Sequence, residues 1–266
     1  MSVYLAYYLA MGLLSGFIAG LLGVGGGLIL VPVLVWLFSL QGFDSAHIML
    51  MALGTSLAVI SFTAISSVRA HHAHGAVNWD TVRRISPGVI FGTLFGAWLA
   101  SKLPSTFLHH FFVAFLFYAA TQMLLNFKPA AHRNLPGYTG MSFAGSVIGI
   151  VSSWVGIGGG TLSVPFMLWC NVKLHQAIAT SAAIGFPIAV AGAVGYVITG
   201  WSASNLPAYS AGYIYLPAFA AIASTSILTA PLGARLTHRL PVAVLKRIFA
   251  VLLYVLGIKM LLTSVQ

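Results

Sequence analysis

The run Gly23-Val24-Gly25-Gly26-Gly27-Leu28-Ile29-Leu30-Val31-Pro32 returns later in the chain as Gly156-Ile157-Gly158-Gly159-Gly160-Thr161-Leu162-Ser163-Val164-Pro165, each time inside a long apolar stretch. Consecutive glycines interrupt a helix, and in lipid an interruption survives only where the freed backbone groups are buried in protein or face a cavity. A helix that restarts after such a break presents open N–H groups and the positive end of its dipole, which is an anion-binding arrangement. Paired breaks in corresponding positions of two halves mark a substrate site. Gly25, Gly26, Gly27, Gly158, Gly159 and Gly160 are therefore expected to offer backbone contacts to an anion. The hydroxyls of Thr55, Ser56, Thr161, Ser163, Thr180 and Ser181 would add hydrogen bonds without burying a fixed charge. The competing reading is that the glycines serve only close helix packing and the hydroxyls bond their own helices.

Other residues with chemistry are fewer. Pro32 and Pro165 each remove a donor five residues past the last motif glycine and are expected to shape the second arm rather than touch a ligand. His47 and His175 each precede the helix bearing a Thr-Ser pair and could attract an anion or take up a proton near neutral pH. His71, His72 and His74 follow Arg69 in a basic loop and read as solvated rather than as a metal site. Trp36, Trp154 and Trp169 read as packing or interface anchors. The single cysteine, Cys170, excludes an internal disulfide and argues against a thiolate metal site. No cofactor or metal is expected.

The elements that must hold these residues are membrane helices. Hydrophobic residues make up 59% of the 266 residues and charged residues 5%, with a mean hydropathy of +0.99. A soluble domain carries about 25% charged residues. The net charge of +10 comes from basic residues scattered beside apolar segments, so no nucleic-acid partner is implied. No basic stretch precedes Val3, so the start reads as a membrane segment rather than a cleavable signal.

Apolar segments are expected at 4–22, 28–39, 46–68, 85–101 and 106–126, then at 140–155, 161–172, 176–199, 213–234 and 243–263. The two sets of five also share Thr55-Ser56 with Thr180-Ser181, and Gly96-Ala97 through Leu103-Pro104 with Gly233-Ala234 through Leu240-Pro241. This is an internal duplication: a first repeat over 1–127, a linker over 128–138 and a second repeat over 139–266.

The arms 28–39 and 161–172 would make only about 18 Å of helix each, against a hydrocarbon core of about 30 Å. Each glycine-centred pair is thus read as a helical hairpin returning to the side it came from, followed by three transmembrane helices. Short tilted spans would return the chain to the same side. The rival is one broken span per motif, giving four crossings per half and parallel repeats.

Positive charge separates these topologies, because basic residues collect on the cytoplasmic side. With hairpins, the halves are inverted. Arg69, Arg83, Arg84, Lys128, Arg133, Lys173, Arg235, Arg239, Lys246 and Arg247 then face Lys102 and Lys259 across the bilayer, ten against two. Parallel repeats would divide the same residues six against six. The inverted arrangement follows, with both termini outside the cytoplasm and the linker inside.

The doubled Gly-x-Gly-Gly-Gly-x-x-x-Val-Pro, each copy ahead of a Thr-Ser helix, resembles the sulfite exporter TauE/SafE family of membrane permeases over essentially the whole chain. The resemblance implies transport of small sulfur-containing anions such as sulfite, sulfoacetate or aromatic sulfonates across the inner membrane of a prokaryote. It does not choose among them.

Coupling has few carriers. The only acids, Asp44 and Asp80, fall in expected loops, which argues against a carboxylate proton relay or acidic sodium site. Export of one negative charge from a negative cytoplasm is favoured by about 2.3 kcal/mol per 100 mV and can run uncoupled. An anion channel or an importer of another small organic acid would share the composition. An enzyme would need a nucleophile, acid-base or metal constellation that no span contains. The lipid bilayer is the expected environment, and the sequence leaves a homodimer open.

Overall fold

The computed structural model describes residues 2–22, 26–73, 75–125, 134–237 and 242–262. Among them the chain forms ten α-helices: α1 (Ser2–Leu22), α2 (Gly27–Leu40), α3 (Ser45–Ala73), α4 (Trp79–Ala100), α5 (Ser105–Leu124), α6 (Tyr138–Val155), α7 (Gly160–Trp169), α8 (Leu174–Gly200), α9 (Leu216–Thr237) and α10 (Val242–Leu262). A two-stranded antiparallel hairpin, β1 (Ser210–Ala211) and β2 (Ile214–Tyr215), lies between α8 and α9. Five stretches are long and apolar enough to cross a membrane: Val3–Gly20, Ser45–Ala73, Ser105–Leu124, Leu174–Gly200 and Leu216–Gly233. Large apolar side chains stand outward, including Ile198, Leu228 and Ile248, all more than three-fifths exposed. Lipid tolerates such a surface and water does not. The chain is an all-α integral membrane protein.

Each expected apolar segment matches a helix, with three differences. The helix α3 runs on to Ala73, past the expected end at 68, so His71 and His72 lie in its last turn rather than in a loop, and His74 lies outside the described residues. The helix expected from 85 begins at Trp79, because Asn78 caps it by accepting the Thr81 N–H and Asp80 pairs with Arg84 at 2.8 Å in the first turn. A polar first turn hides a helix start from hydropathy. The segment expected from 213 begins as the β-hairpin, and α9 starts only at Leu216.

Helix directions follow from close contacts. A Cβ on Gly12 would meet Ile222 and Thr225, and one on Gly16 would meet Ser226 and Thr229, so α1 and α9 run parallel at backbone contact. Gly88 lies against Ser142 and Gly92 against Ser146, so α4 and α6 do the same. These two pairings, with α3 against α8, make the most extensive helix contacts. Gly54 meets Tyr196 and Gly192 meets Leu57, so α3 and α8 run antiparallel. His109 bonds the Met260 carbonyl and Thr121 bonds Tyr254, so α5 and α10 are antiparallel too. The third and fifth helices of the two sets of five therefore oppose each other in direction.

The arms of the first glycine pair return to one end: Tyr4 Oη donates to the Leu40 carbonyl at 3.2 Å, and Gln41 bonds the Tyr8 hydroxyl. A single broken span would have separated these residues by the length of both arms. The helix α2 has 14 residues and α7 has 10, both continuous through their prolines, Pro32 and Pro165. At 1.5 Å per residue these are about 21 Å and 15 Å, short of the hydrocarbon core.

These directions sort the described cations. Arg69, Arg83, Arg84, Lys173, Lys246 and Arg247 lie at one end of the bundle, hereafter the basic end. Lys102 and Lys259 lie at the opposite end, where Lys259 Nζ sits 4.3 Å from the centre of the Trp36 ring.

Candidate functional site

The two glycine motifs meet in the interior. Gly26 and Gly159 cap α2 and α7 with φ of 73° and 76°, a left-handed conformation that costs other residues about 1–2 kcal/mol. Each accepts the first N–H groups of its helix: Gly26 from Ile29 and Leu30, Gly159 from Leu162 and Ser163. A Cβ on Gly27 would stand 2.1 Å from the Gly156 carbonyl oxygen, so the two tips are pressed backbone to backbone. Ser56 Oγ donates to that same oxygen at 2.8 Å. A Cβ on Gly185 of α8 would lie 2.6 Å from the Gly158 oxygen, and no larger residue fits beside the second tip.

From Gly158 a crevice runs toward the basic end. It is bounded by Ala19, Ile60, Ala182 and Gly185 near the tip and by Thr63, Ser67 and Ala230 further out. No charged residue lines it. The opposite end is packed shut: Tyr196, Tyr213, Tyr215 and Phe38 are all buried, with Tyr215 edge-on to both Phe38 and Phe43. Burial pushes the Tyr213 and Tyr215 phenols up, so both stay neutral at physiological pH. In this conformation the crevice reaches the second hairpin tip from the basic end.

The structure divides the expected site residues. Gly26, Gly27, Gly158, Gly159 and Gly160 are at the tips, and Gly25 lies outside the described residues. Thr161 and Ser163 sit in the first turn of α7, 4% and 0% exposed, and neither hydroxyl has a partner. Thr55 and Thr180 are engaged elsewhere: Thr55 Oγ1 accepts the Tyr215 N–H at 3.1 Å and Thr180 Oγ1 accepts the Asn78 N–H at 3.0 Å. Ser181 Oγ donates to Ile178 of its own helix. His47 is half-buried against Tyr213 at the closed end, whereas His175 is exposed at the basic end, so the two are not brought together. Trp154 donates to the Gly96 carbonyl and meets Phe107 and Phe111 edge-on, as packing requires. His72 accepts from Trp79 Nε1 at 3.2 Å.

Ser152, outside the motifs, packs beside the second tip. It is fully buried and its hydroxyl has no partner; a Cβ on Gly159 would meet Ile188 Cδ1 at 2.3 Å, Ser163 Oγ at 3.4 Å and Ser152 Oγ at 3.7 Å. Ser152 precedes the motif rather than belonging to it. The available signal was a contrast between halves, because Ala19 holds the matching position before the first motif.

The family model for the sulfite exporter TauE/SafE matches residues 8–260. A probable membrane transporter protein of Haemophilus influenzae is 37% identical over 264 residues, covering 98% of this chain and all of the relative. The probable membrane transporter protein YdhB of Bacillus subtilis is 28% identical over 240 residues, 88% of this chain and 90% of the relative. A probable membrane transporter protein of Methanocaldococcus jannaschii is 25% identical over 258 residues, 94% and 93% of the two chains. No solved structure matches the chain. With a family match over nearly its full length and the helical membrane fold described above, the chain belongs to the sulfite exporter TauE/SafE family of membrane transporters.

Proposed function

We propose that this transporter carries small sulfur-containing anions, sulfite or organosulfonates, out of a prokaryotic cell across the inner membrane by alternating access. The observation that carries the reading is the second hairpin tip: Gly158 lines a crevice from one end, and α7 starts two residues on, with the Thr161 and Ser163 hydroxyls of its first turn buried and unpartnered. Amide and hydroxyl donors suit an oxyanion, and the absence of a fixed cation along the crevice suits release.

The cycle rests on two inverted repeats, a reading supported by the antiparallel pairs α3–α8 and α5–α10 and by the exchange of first and fourth helices between halves. Excess cations at the basic end favour placing it in the cytoplasm, with both termini outside. The crevice would then be an inward-open state, and closure of it with loosening of the aromatic plug would give the outward one. The second hairpin and α8 form one side of the crevice and α1, α3 and α9 the other, so movement between these groups exposes the tip alternately.

The test is uptake of radiolabelled sulfite, sulfonates and carboxylates into proteoliposomes, with membrane potential and pH gradient set independently. Saturable flux lost in Gly26→Leu and Gly159→Leu protein that still inserts is the expected result. Flux that survives both changes unaltered removes the hairpins from the site, and a continuous open pore with large unitary currents makes the protein a channel.

A further inference from the structure

Resting on the proposed alternating access, we infer where the second access route lies. It opens along the seam between α8 and the pair α4–α6, lined by Leu57, Thr93, Ser152, Ile188 and Gly192, and Tyr196 Oη on the Ser153 carbonyl latches it shut.

The contacts between halves recur in crossed copies. The matches Gly23 to Gly156, Thr55 to Thr180 and Gly96 to Gly233 number α1 against α6, α3 against α8 and α4 against α9. A Cβ on Gly12 would stand 2.4 Å from the Ile222 oxygen; on its counterpart Gly145 it would stand 2.6 Å from the oxygen of Ile85, the counterpart of Ile222. Gly16 meets the Ser226 oxygen at 2.4 Å, and Gly149 meets the Val89 oxygen at 2.5 Å, again counterparts. The Thr55 bond to the Tyr215 N–H has its copy in the Thr180 bond to the Asn78 N–H. When two inverted halves pack by one rule, exchanging their conformations moves an opening from one end to the other.

The copies differ at the crevice. Its residues Ala19, Thr63, Ser67, Ala182 and Ala230 have Ser152, Ile188, Gly192, Leu57 and Thr93 as counterparts. All five counterparts are buried. They are also pressed together: a Cβ on Gly192 would stand 2.6 Å from Leu57 Cδ1 and 3.2 Å from Thr93 Cγ2, and Ile188 Cδ1 fills the space beside Gly159. Ile60 and Gly185, which line the crevice, are each other's counterparts, and both adjoin Gly158. They mark the point where crevice and seam join at the second tip.

The latch lies one turn beyond Gly192. Tyr196 is fully buried, and its Oη donates across the seam to the Ser153 carbonyl of α6 at 2.9 Å. Its ring meets Tyr213 edge-on at the closed end. The counterparts of Tyr196 and Ser153 are His71 and Gly20, and Gly20 lines the open crevice. One hydrogen bond is worth little net stability, so its loss shifts the balance between two packed states without unfolding either.

Thiol labelling in the Cys170→Ala background tests the seam, with a membrane-impermeant maleimide added to intact cells or to inverted membrane vesicles. Flux of radiolabelled sulfite and methanesulfonate is measured on the same proteins in proteoliposomes. Ser67→Cys should react from the face at the basic end, and Thr93→Cys and Leu57→Cys should be protected. Tyr196→Phe removes the latch. Ala182→Leu does the converse, giving the crevice the side chain that its counterpart carries in the seam. Either change should raise labelling of Thr93→Cys and Leu57→Cys from the opposite face about fivefold and lower that of Ser67→Cys. Ala119→Cys, fully buried in α5, which lines neither path, should stay unreactive throughout. Thr93→Cys silent in both variants, in protein that carries sulfite or methanesulfonate, overturns the seam and leaves the transporter reading intact. Labelling of Ala119→Cys together with the seam means general loosening and overturns the latch. A seam that opens as expected in protein with no flux of either anion supports the second route and overturns the anion reading.

Discussion

Thr55 Oγ1 accepts the backbone N–H of Tyr215 across 3.1 Å, joining the middle of α3 to the strand that leads into α9. Thr180 Oγ1 does the same for Asn78, which leads into α4. Each threonine holds the chain where it enters the fourth helix of the other half. The duplicated Thr-Ser pair is thus at least half structural, since its threonines are committed to a crossed tie between repeats. Thr55→Val leaves a buried N–H without an acceptor and should cost about 1–3 kcal/mol. Thr55→Ser should recover most of it. Thermal unfolding in detergent reads the difference, and Thr180→Val should behave alike at the basic end.

Gly27 makes a sharper prediction. A methyl group there would stand 2.1 Å from a backbone oxygen of Gly156, and neither tip has a flexible side chain to move aside. Overpacking of this kind costs about 1–3 kcal/mol, and Gly27→Ala should fall at the upper end. By contrast, Gly42 has nothing within 4 Å, and Gly42→Ala should lose only the backbone strain of its positive φ, about 1 kcal/mol. A Gly27→Ala protein as stable as wild type would show that the tips can separate freely.

Ser163 predicts opposite signs for stability and transport. Its hydroxyl is buried without a partner, so Ser163→Ala removes a desolvation penalty and should raise the unfolding temperature of the ligand-free protein, by about 1–3 kcal/mol in stability. Uptake should fall in the same variant. Gains in stability that accompany loss of activity are the mark of a residue kept for function. Loss of both would mean that Ser163 has a structural partner in the membrane.

Hydropathy and the glycine motifs were enough to read the helices, because lipid-facing and buried positions alike are apolar and the breaks fall where glycine runs leave a helix no stability. The first hairpin was legible for the same reason: α2 is too short to cross, and Tyr4 and Leu40 meet at one end. The site was less so. Thr55 and Thr161 are both hydroxyls beside a repeated motif, and only three-dimensional partners separate the one tied to Tyr215 from the one left open. Ser152 stayed hidden because its nearness to Gly159 is a tertiary contact, which spacing along α6 does not encode. The Tyr213–Tyr215 plug was read as the start of a helix because β-branched and aromatic residues ahead of an apolar run carry no distinct period over so few positions.

Orientation in the membrane supplies the last prediction. Ser45 and Ala73 are exposed residues at opposite ends of α3, a 29-residue helix long enough to span the bilayer. Cys170 is buried and is the sole cysteine, so Cys170→Ala gives a background free of thiols. In that background Ser45→Cys should react with a membrane-impermeant maleimide from outside intact cells, and Ala73→Cys only after lysis. The cause is electrostatic: Ala73 belongs to the end that holds Arg69, Arg83 and Arg84, and loops bearing such charge stay in the cytoplasm. The reverse pattern would turn the crevice outward and make the captured conformation one of uptake rather than release. Both cysteines reacting from the same side would mean that α3 does not cross, and the inverted topology would fall with it.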